Sequence, residues 1–568
     1  MEKISVEALK VGKSFIIEGH ELSDEGFFAL NTQHDGAVKR VKICEAIFIE
    51  NVIKELDSGE YYIILVSKVN GEYIGKMFRM DVLMPQNLLK LIRYGISIPT
   101  KFEHMISRYL LRLKEEIEPI NVFSNVGWHK DDKSNLEFRL ESLISDDSSK
   151  IAMLDKQNLK FNVTCNGTLE NWIDICKKEV IGNVQLETAL CFGFSAPIVG
   201  YLYRTTGYHD TLLIHLVGNS TTGKTTAGNL AVCAFGKPDS KEQGLSRTWN
   251  GTPNAIIRSL GGNFGIPLVL DEFSMVRNRS MNSEVYTIVE GQDKARLSPD
   301  TIEPIDRPRW ATTVISTGEQ SIFSKTSNNA GFRVRLLQFD GVKWTKSAKN
   351  ADNIKSVISE NYGHAGVEFA KYIFAKGTNI IDEKVKYWNN QCMTKIPDSN
   401  FKDRIAKKYA IIMTGGDIAN EALDLGMDLD KVLDFLVDNE NDNMLDRDLA
   451  EKAFNDISEV VIQNMSKFII KGINFSPKDC WGKIDTNGGY YKVVFLKNIL
   501  EKQLIRLGYE DARVVIREWK QKGYLITEKD KTTKRLVVDS NKRQNVYELK
   551  IPMNELRDYI PKPSFLNS

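Results

Sequence analysis

The stretch from Leu212 to Thr226 constrains this chain more than any other. It opens with an apolar run, Leu212 to Val217, of the kind that forms a buried parallel strand. Gly218, Asn219, Ser220, Thr221, Thr222, Gly223, Lys224, Thr225 and Thr226 follow, and within them Gly218, Gly223, Lys224 and Thr225 fit the phosphate-binding pattern G-x-x-x-x-G-K-[ST]. The glycines let the backbone close around a triphosphate with its N–H groups pointing inward. A helix is expected to start near Lys224, with its positive end toward the phosphates. In this pattern Lys224 holds the β- and γ-phosphates and Thr225 ligates Mg²⁺.

A second acidic signal supports the first. Ile266 to Leu270 reads as a buried strand that ends in Asp271 and Glu272. The step from Lys224 to Asp271 leaves room for a helix, a strand and another helix, the spacing of phosphate-loop ATPases. Asp271 is expected to hold Mg²⁺ through its water shell, and Glu272 to activate the attacking water. A third strand, Ala311 to Thr317, should end beside the phosphate strand, where Ser316 or Thr317 can sense the γ-phosphate. Arg333 and Arg335 lie on one face at the start of a further strand. Either can reach a neighbouring subunit's nucleotide as an arginine finger, and Arg333 is preferred because it precedes the strand proper. Arg404, early in a helical stretch over 401–425, is either a surface arginine or one that a lid helix presents to ATP.

With 76 Lys and Arg against 75 Asp and Glu, the chain is nearly neutral, so a basic nucleic-acid surface has to be local. Two such places occur. Residues 291–310 read as a hairpin turning near Pro299–Thr301. Lys294 and Arg296 share one face of its outgoing strand, and Arg307 and Arg309 lie on the return. This is either a solvated strand face or a DNA-gripping hairpin. From Lys497 to Lys550 there are 14 Lys and Arg against 8 Asp and Glu. Helices over 495–507 and 510–521, then strands over 524–528 and 545–551, form the order of a winged helix. Arg513, Arg517 and Lys520 fall on one face of its second helix, suited to a major groove. A winged helix serving only protein contacts has the same pattern.

Residues 1–115 read as an α+β domain of strands and two helices with no chemistry of its own, structural or nucleic-acid-handling. Residues 116–380 are expected to form the ATPase domain, 381–450 a helical lid and acidic linker, and 451–568 the winged-helix domain. Trp128 is most simply a core aromatic, with stacking on a base as the alternative. The seven scattered cysteines form no C-x-x-C pair. No uncharged run reaches the length of a membrane span, and Met1 to Val6 lacks the apolar core of a signal peptide. A cytoplasmic protein with no membrane partner is the expectation.

The order of these motifs, with Ser316-Thr-Gly-Glu319, Gly331-Phe-Arg333, Gly127-Trp128 and Tyr362-Gly-His364, resembles a known family over roughly 120–550. It is similar to the MCM-like AAA+ replicative helicases of staphylococcal mobile elements, the initiator-helicases of pathogenicity islands and their relatives in chromosomal cassettes. The resemblance implies an α/β AAA+ P-loop ATPase core, an α+β N-terminal domain and a C-terminal winged-helix domain. It implies ATP and Mg²⁺ as cofactors, a homo-hexameric ring, self-loading at an origin and unwinding from 3′ to 5′. Single-stranded DNA would lie in the ring pore against the hairpin, and duplex origin DNA at the winged helix. Many AAA+ proteins carry Asn at the first sensor position, whereas Ser316 and Thr317 stand here. The alternative is an ATP-switched origin-binding protein that does not unwind.

Overall fold

The structure is a computed structural model. It describes residues 3–559 apart from 33–37, 277–280, 296–306, 326–333, 448, 474–476, 510, 529–530, 540–541 and 557–558. The chain divides into two compact units, Met1–Thr164 and Cys165–Ser568.

The first unit is built on β-strands with alternating or continuous apolar runs. Phe15–Ile17, His20–Ser23, Gly26–Thr32 and Val38–Cys44 form an antiparallel sheet in chain order. A five-stranded sheet runs in the order Met153–Leu154, Ile120–Phe123, Ile47–Glu55, Tyr61–Val69, Glu72–Arg79. The helix Glu103–Glu115 places Ile106, Leu110 and Leu113 on one stripe and buries them with Tyr109 against Leu83, Leu88 and Leu91. The boundary expected near residue 115 falls inside this unit. Ile120–Phe123 pairs in parallel with Ile47–Glu55, Ile53 opposite Ile120, which ties the following segment to the first unit. Trp128 is fully buried and meets the Phe138 ring edge-on at 5.1 Å, as a core aromatic.

In the second unit, five parallel strands form one sheet in the order Ser246–Thr248, Leu268–Asp271, Thr313–Gly318, Leu212–Val217, Leu336–Phe339. All six residues of Leu212–Val217 are buried, as its unbroken apolar run requires. Thr313–Gly318 lies between Leu212–Val217 and Leu268–Asp271. This arrangement brings the C-terminal ends of three strands together, the place where open parallel sheets bind ligands.

The helix Val184–Thr206 packs behind this sheet. It is long and apolar enough to cross a membrane by length and composition, yet 94% of its most apolar window is buried within the protein. Glycines permit that packing. A Cβ at Gly193 would lie 2.0 Å from the Ala231 carbonyl oxygen, and one at Gly415 would lie 2.4 Å from that of Phe194. The acidic stretch expected to be a helical linker contains the helix Leu429–Arg447, which packs on the sheet rather than standing free in solvent. Val432, Leu433 and Leu436 are buried, and Asn439 and Asn443 each donate to the Gln338 carbonyl at 3.1 Å.

The C-terminal region places helices Leu449–Gln463, Lys497–Arg506 and Ala512–Gln521 on a five-stranded sheet. Its order is Phe468–Ile470, Gly482–Asn487, Tyr490–Leu496, Arg543–Pro552, Lys534–Val537. The expected strand at 524–528 is reduced to one bridge, Leu525 to Leu549. Arg543–Pro552 pairs instead with Lys534–Val537 on one side and Tyr490–Leu496 on the other.

Candidate functional site

The phosphate loop leads from the buried strand into the helix Lys224–Cys233. Gly223 has φ +85°, and a Cβ there would fall 2.5 Å from Thr345 Oγ1. Only glycine meets both conditions without strain. Thr221 also takes a left-handed conformation, φ +74°, uncommon for a β-branched residue. Lys224 is buried, and its ammonium donates to the carbonyls of Gly218 at 2.8 Å and Asn219 at 2.7 Å. Burial pulls its pKa down from the ordinary lysine value, against the opposing pull of Glu319 and Asp271.

Across the cleft, Thr225 Oγ1 lies 3.3 Å from both carboxylate oxygens of Asp271. Thr317 Oγ1 donates to Asp271 Oδ1 and accepts from the Glu272 N–H at 3.3 Å. Glu272 is exposed, with φ +62° and ψ +57°. The cleft so formed has a volume of about 490 Å³, with Lys224, Thr225, Asp271, Glu272, Thr317 and Glu319 among its lining residues. Ser220 donates to Glu319, joining the phosphate loop to the end of the sensor strand.

Ser316 faces the other way. Its hydroxyl accepts from Trp249 Nε1 at 2.9 Å and lies 2.9 Å from His215 Nδ1. His215 Nε2 lies 2.9 Å from the Gln320 carbonyl. A carbonyl only accepts and an indole N–H only donates, which assigns every proton in the chain. Nε2 carries the hydrogen, Nδ1 is bare, and Ser316 donates to it. Burial pushes the His215 pKa down to about 4, so the neutral ring persists at ordinary pH. Phe273, next to Glu272, sets its ring edge against both His215 and Trp249 at 5.4 Å. The turn bearing Glu272 therefore rests on a buried, directional hydrogen-bond chain.

Oxygen ligands from Thr225 and Asp271 fit a hard cation such as Mg²⁺, which binds through one carboxylate plus substrate phosphates. Among the described residues no cluster of three or more His, Cys, Asp or Glu forms a metal site of its own.

The other sequence candidates are spread over the surface. Arg404 is exposed on the first turn of helix Lys402–Leu423 and does not line its own chain's cleft. Arg335 stacks over the Tyr286 ring at 5.1 Å, and its carbonyl accepts from buried Lys408 at 2.6 Å. Arg333 and Arg296 lie outside the described residues. The base of the expected hairpin is present: Gln292 pairs antiparallel with Arg309, and the Asp293 N–H donates to Pro308 at 3.0 Å. Buried Trp310 anchors it by donating to the Ile288 carbonyl at 2.9 Å. Lys294, Arg307 and Arg309 are exposed there, with the Lys294 ammonium donating to Ser283.

On helix Ala512–Gln521, Ala512, Val515, Ile516 and Trp519 face the core, leaving Arg513 and Arg517 exposed and Lys520 half-buried. Sequence reasoning missed Thr345, Asp352 and Lys355 of the cleft and the His215–Ser316–Trp249 chain. No motif marks them; only the fold brings them together.

Residues 20–301 match a model described as a domain of unknown function, DUF927, and residues 448–554 match the Cch helix turn helix domain. No curated protein matches the chain. The chain is similar to a solved structure titled "SCCmec type IV Cch - active helicase", at 27% identity and a TM-score of 0.78. That likeness covers 96% of this chain and 99% of the other. A structure of the NrS-1 C-terminal region aligns over 89% of this chain and 96% of its own, at 9% identity and a TM-score of only 0.27. The chain is thus a mixed α/β protein similar over nearly its whole length to a Cch helicase, with a C-terminal helix-turn-helix domain.

Proposed function

We propose that this protein is an ATP-dependent DNA helicase and replication initiator of a mobile genetic element, with an AAA+ core that works as a hexameric ring. The observation that carries this reading is the meeting of Lys224, Thr225, Asp271, Glu272 and Thr317 in one cleft. The likeness to a structure titled as an active helicase supports it.

In this reading Lys224 and the loop N–H groups of 218–226 bind the ATP phosphates. Thr225 and Asp271 hold Mg²⁺, which neutralises phosphate charge when bound. Glu272 orients the attacking water and takes its proton. Thr317, bonded to both Asp271 and the Glu272 backbone, ties the γ-phosphate position to the base. Arg333 reaches the neighbouring subunit's nucleotide, a role that Arg335, engaged with Tyr286, is less free to take. Lys294, Arg296, Arg307 and Arg309 grip the strand in the pore, while Arg513, Arg517 and Lys520 read origin duplex. Self-loading at the origin and 3′→5′ movement complete the proposal.

The test is ATP hydrolysis with and without single-stranded DNA, together with strand displacement on a forked duplex. DNA-stimulated turnover and displacement are expected. Turnover without displacement under any loading condition would leave the origin-binding switch in its place.

A further inference from the structure

The wall of the cleft beyond the phosphate loop is the helix Ala348–Ile358, to which no motif points. Four of its residues, Ala348, Ala351, Asp352 and Lys355, line the cleft. Their spacings of three, one and three place them on a single stripe of an α-helix. The stripe from Ala348 to Lys355 rises by about 10 Å.

The first half of this wall is held from two sides. Beside the loop, the Trp344 N–H donates to the Thr222 carbonyl at 2.8 Å, and the Ser347 hydroxyl caps the helix at the Asn350 N–H. On the outer side, the Glu179 carboxylate accepts from the amides of Asn350 and Asn353, each at 2.7 Å. Asp352 and Lys355 are exposed, and neither side chain has a partner among the described residues.

We infer that this stripe is the nucleoside-binding wall, with Asp352 accepting the ribose hydroxyls and Lys355 donating to the base. The inference rests on the nucleotide-binding reading of the cleft. A nucleotide whose phosphates lie on Lys224 runs outward from the loop, so its sugar meets the stripe before its base does. Asp352 stands nearer the helix start than Lys355, the same order. A carboxylate only accepts hydrogen bonds and suits a vicinal diol; an ammonium only donates and suits ring nitrogens and carbonyls. Ala348 and Ala351 are small enough for the sugar to approach the helix closely.

Calorimetric titration of the full chain with ATP, 2′,3′-dideoxy-ATP and inorganic tripolyphosphate tests this. The wild-type protein is expected to prefer ATP over the dideoxy analogue by about tenfold or more, as for a hydrogen bond to a charged group. Asp352→Ala should abolish that preference, and Lys355→Ala should weaken both nucleotides alike. Neither should change the affinity for tripolyphosphate or the melting temperature. A ribose preference that survives in Asp352→Ala overturns the inference, as does an equal loss of tripolyphosphate binding in either variant. Lys224→Ala separates the two levels. If it loses tripolyphosphate while Asp352→Ala behaves as wild type, the wall falls and the phosphate loop stands. If Lys224→Ala keeps tripolyphosphate, the reading of the cleft itself is wrong.

Discussion

Glu272 holds a left-handed backbone, φ +62°, directly after the buried acidic strand. Such a conformation costs about 1–3 kcal/mol in a non-glycine residue and persists where surrounding contacts impose it. Here the Thr317 hydroxyl and the packed Phe273 ring impose it, and the result is a carboxylate turned into the cleft. Glu272→Gln should keep ATP binding and lower turnover by about 10²–10⁴-fold, the usual worth of a general base. Hydrolysis at the wild-type rate in that variant would remove Glu272 from the role.

His215 gives a pH prediction at the same scale. Its native pKa is about 4, against 6.5 in the unfolded chain. Above pH 6.5 both states are neutral there and the full stability is present. As pH falls toward 4, the unfolded chain binds the proton and the native state does not, so stability declines by about 3 kcal/mol. Urea unfolding at a series of pH values should register this decline. His215→Gln should flatten that part of the profile, and an unchanged slope would contradict the assignment.

At the scale of elements, two basic surfaces sit on different supports. A hairpin base pinned by Trp310 presents Lys294, Arg307 and Arg309, and an amphipathic helix presents Arg513 and Arg517. Pore contacts go to backbone phosphate and ignore sequence, whereas a helix in the major groove discriminates between bases. Replacing Lys294 and Arg296 with Ala should reduce unwinding and DNA-stimulated hydrolysis on every substrate while leaving origin binding. Replacing Arg513 and Arg517 should abolish origin recognition while unwinding of a preformed fork persists. Each lost phosphate contact should lower the salt slope of binding by about 0.7–0.9. Equal losses of both activities in both variants would mean one continuous DNA surface.

At the scale of the whole molecule, the proposed ring makes the active site a joint property of two subunits. Arg333→Ala should then abolish hydrolysis while each chain still binds ATP. Lys224→Ala should abolish binding in its own cleft. Mixing the two inactive proteins should restore measurable ATPase activity, because some interfaces pair an intact cleft with an intact arginine. Co-assembled mixtures that stay silent would rule against a finger acting in trans. The helix Leu429–Arg447 packs on the edge strand Leu336–Phe339, with the Phe435 and Phe339 rings 5.9 Å apart. Lys408, on helix Lys402–Leu423, donates to the Arg335 carbonyl just before that strand.

The glycine-rich loop and the acidic strand end that meet in the cleft were legible in the sequence because each is a local pattern. Glycines, a lysine and carboxylates must follow buried strands at short range, and Gly223, Lys224, Asp271 and Glu272 do. The face carrying Arg513 and Arg517 was legible for the same reason, since helical periodicity sorts surface from core within a few turns, and Ala512, Val515, Ile516 and Trp519 fill the opposite face. Tertiary structure alone decided the rest. Thr317 rather than Ser316 faces the cleft because Trp249 and His215, distant in sequence, claim the Ser316 hydroxyl. The segment after 115 joins the first unit because Ile120–Phe123 pairs with a strand about 70 residues earlier, and strand pairing leaves no local mark. Asp352 and Lys355 read as ordinary surface charges until the sheet order sets their helix against the phosphate loop. A side chain's partners across a fold depend on which elements meet, and that is fixed by the packing of the whole unit, not by its neighbours in the chain.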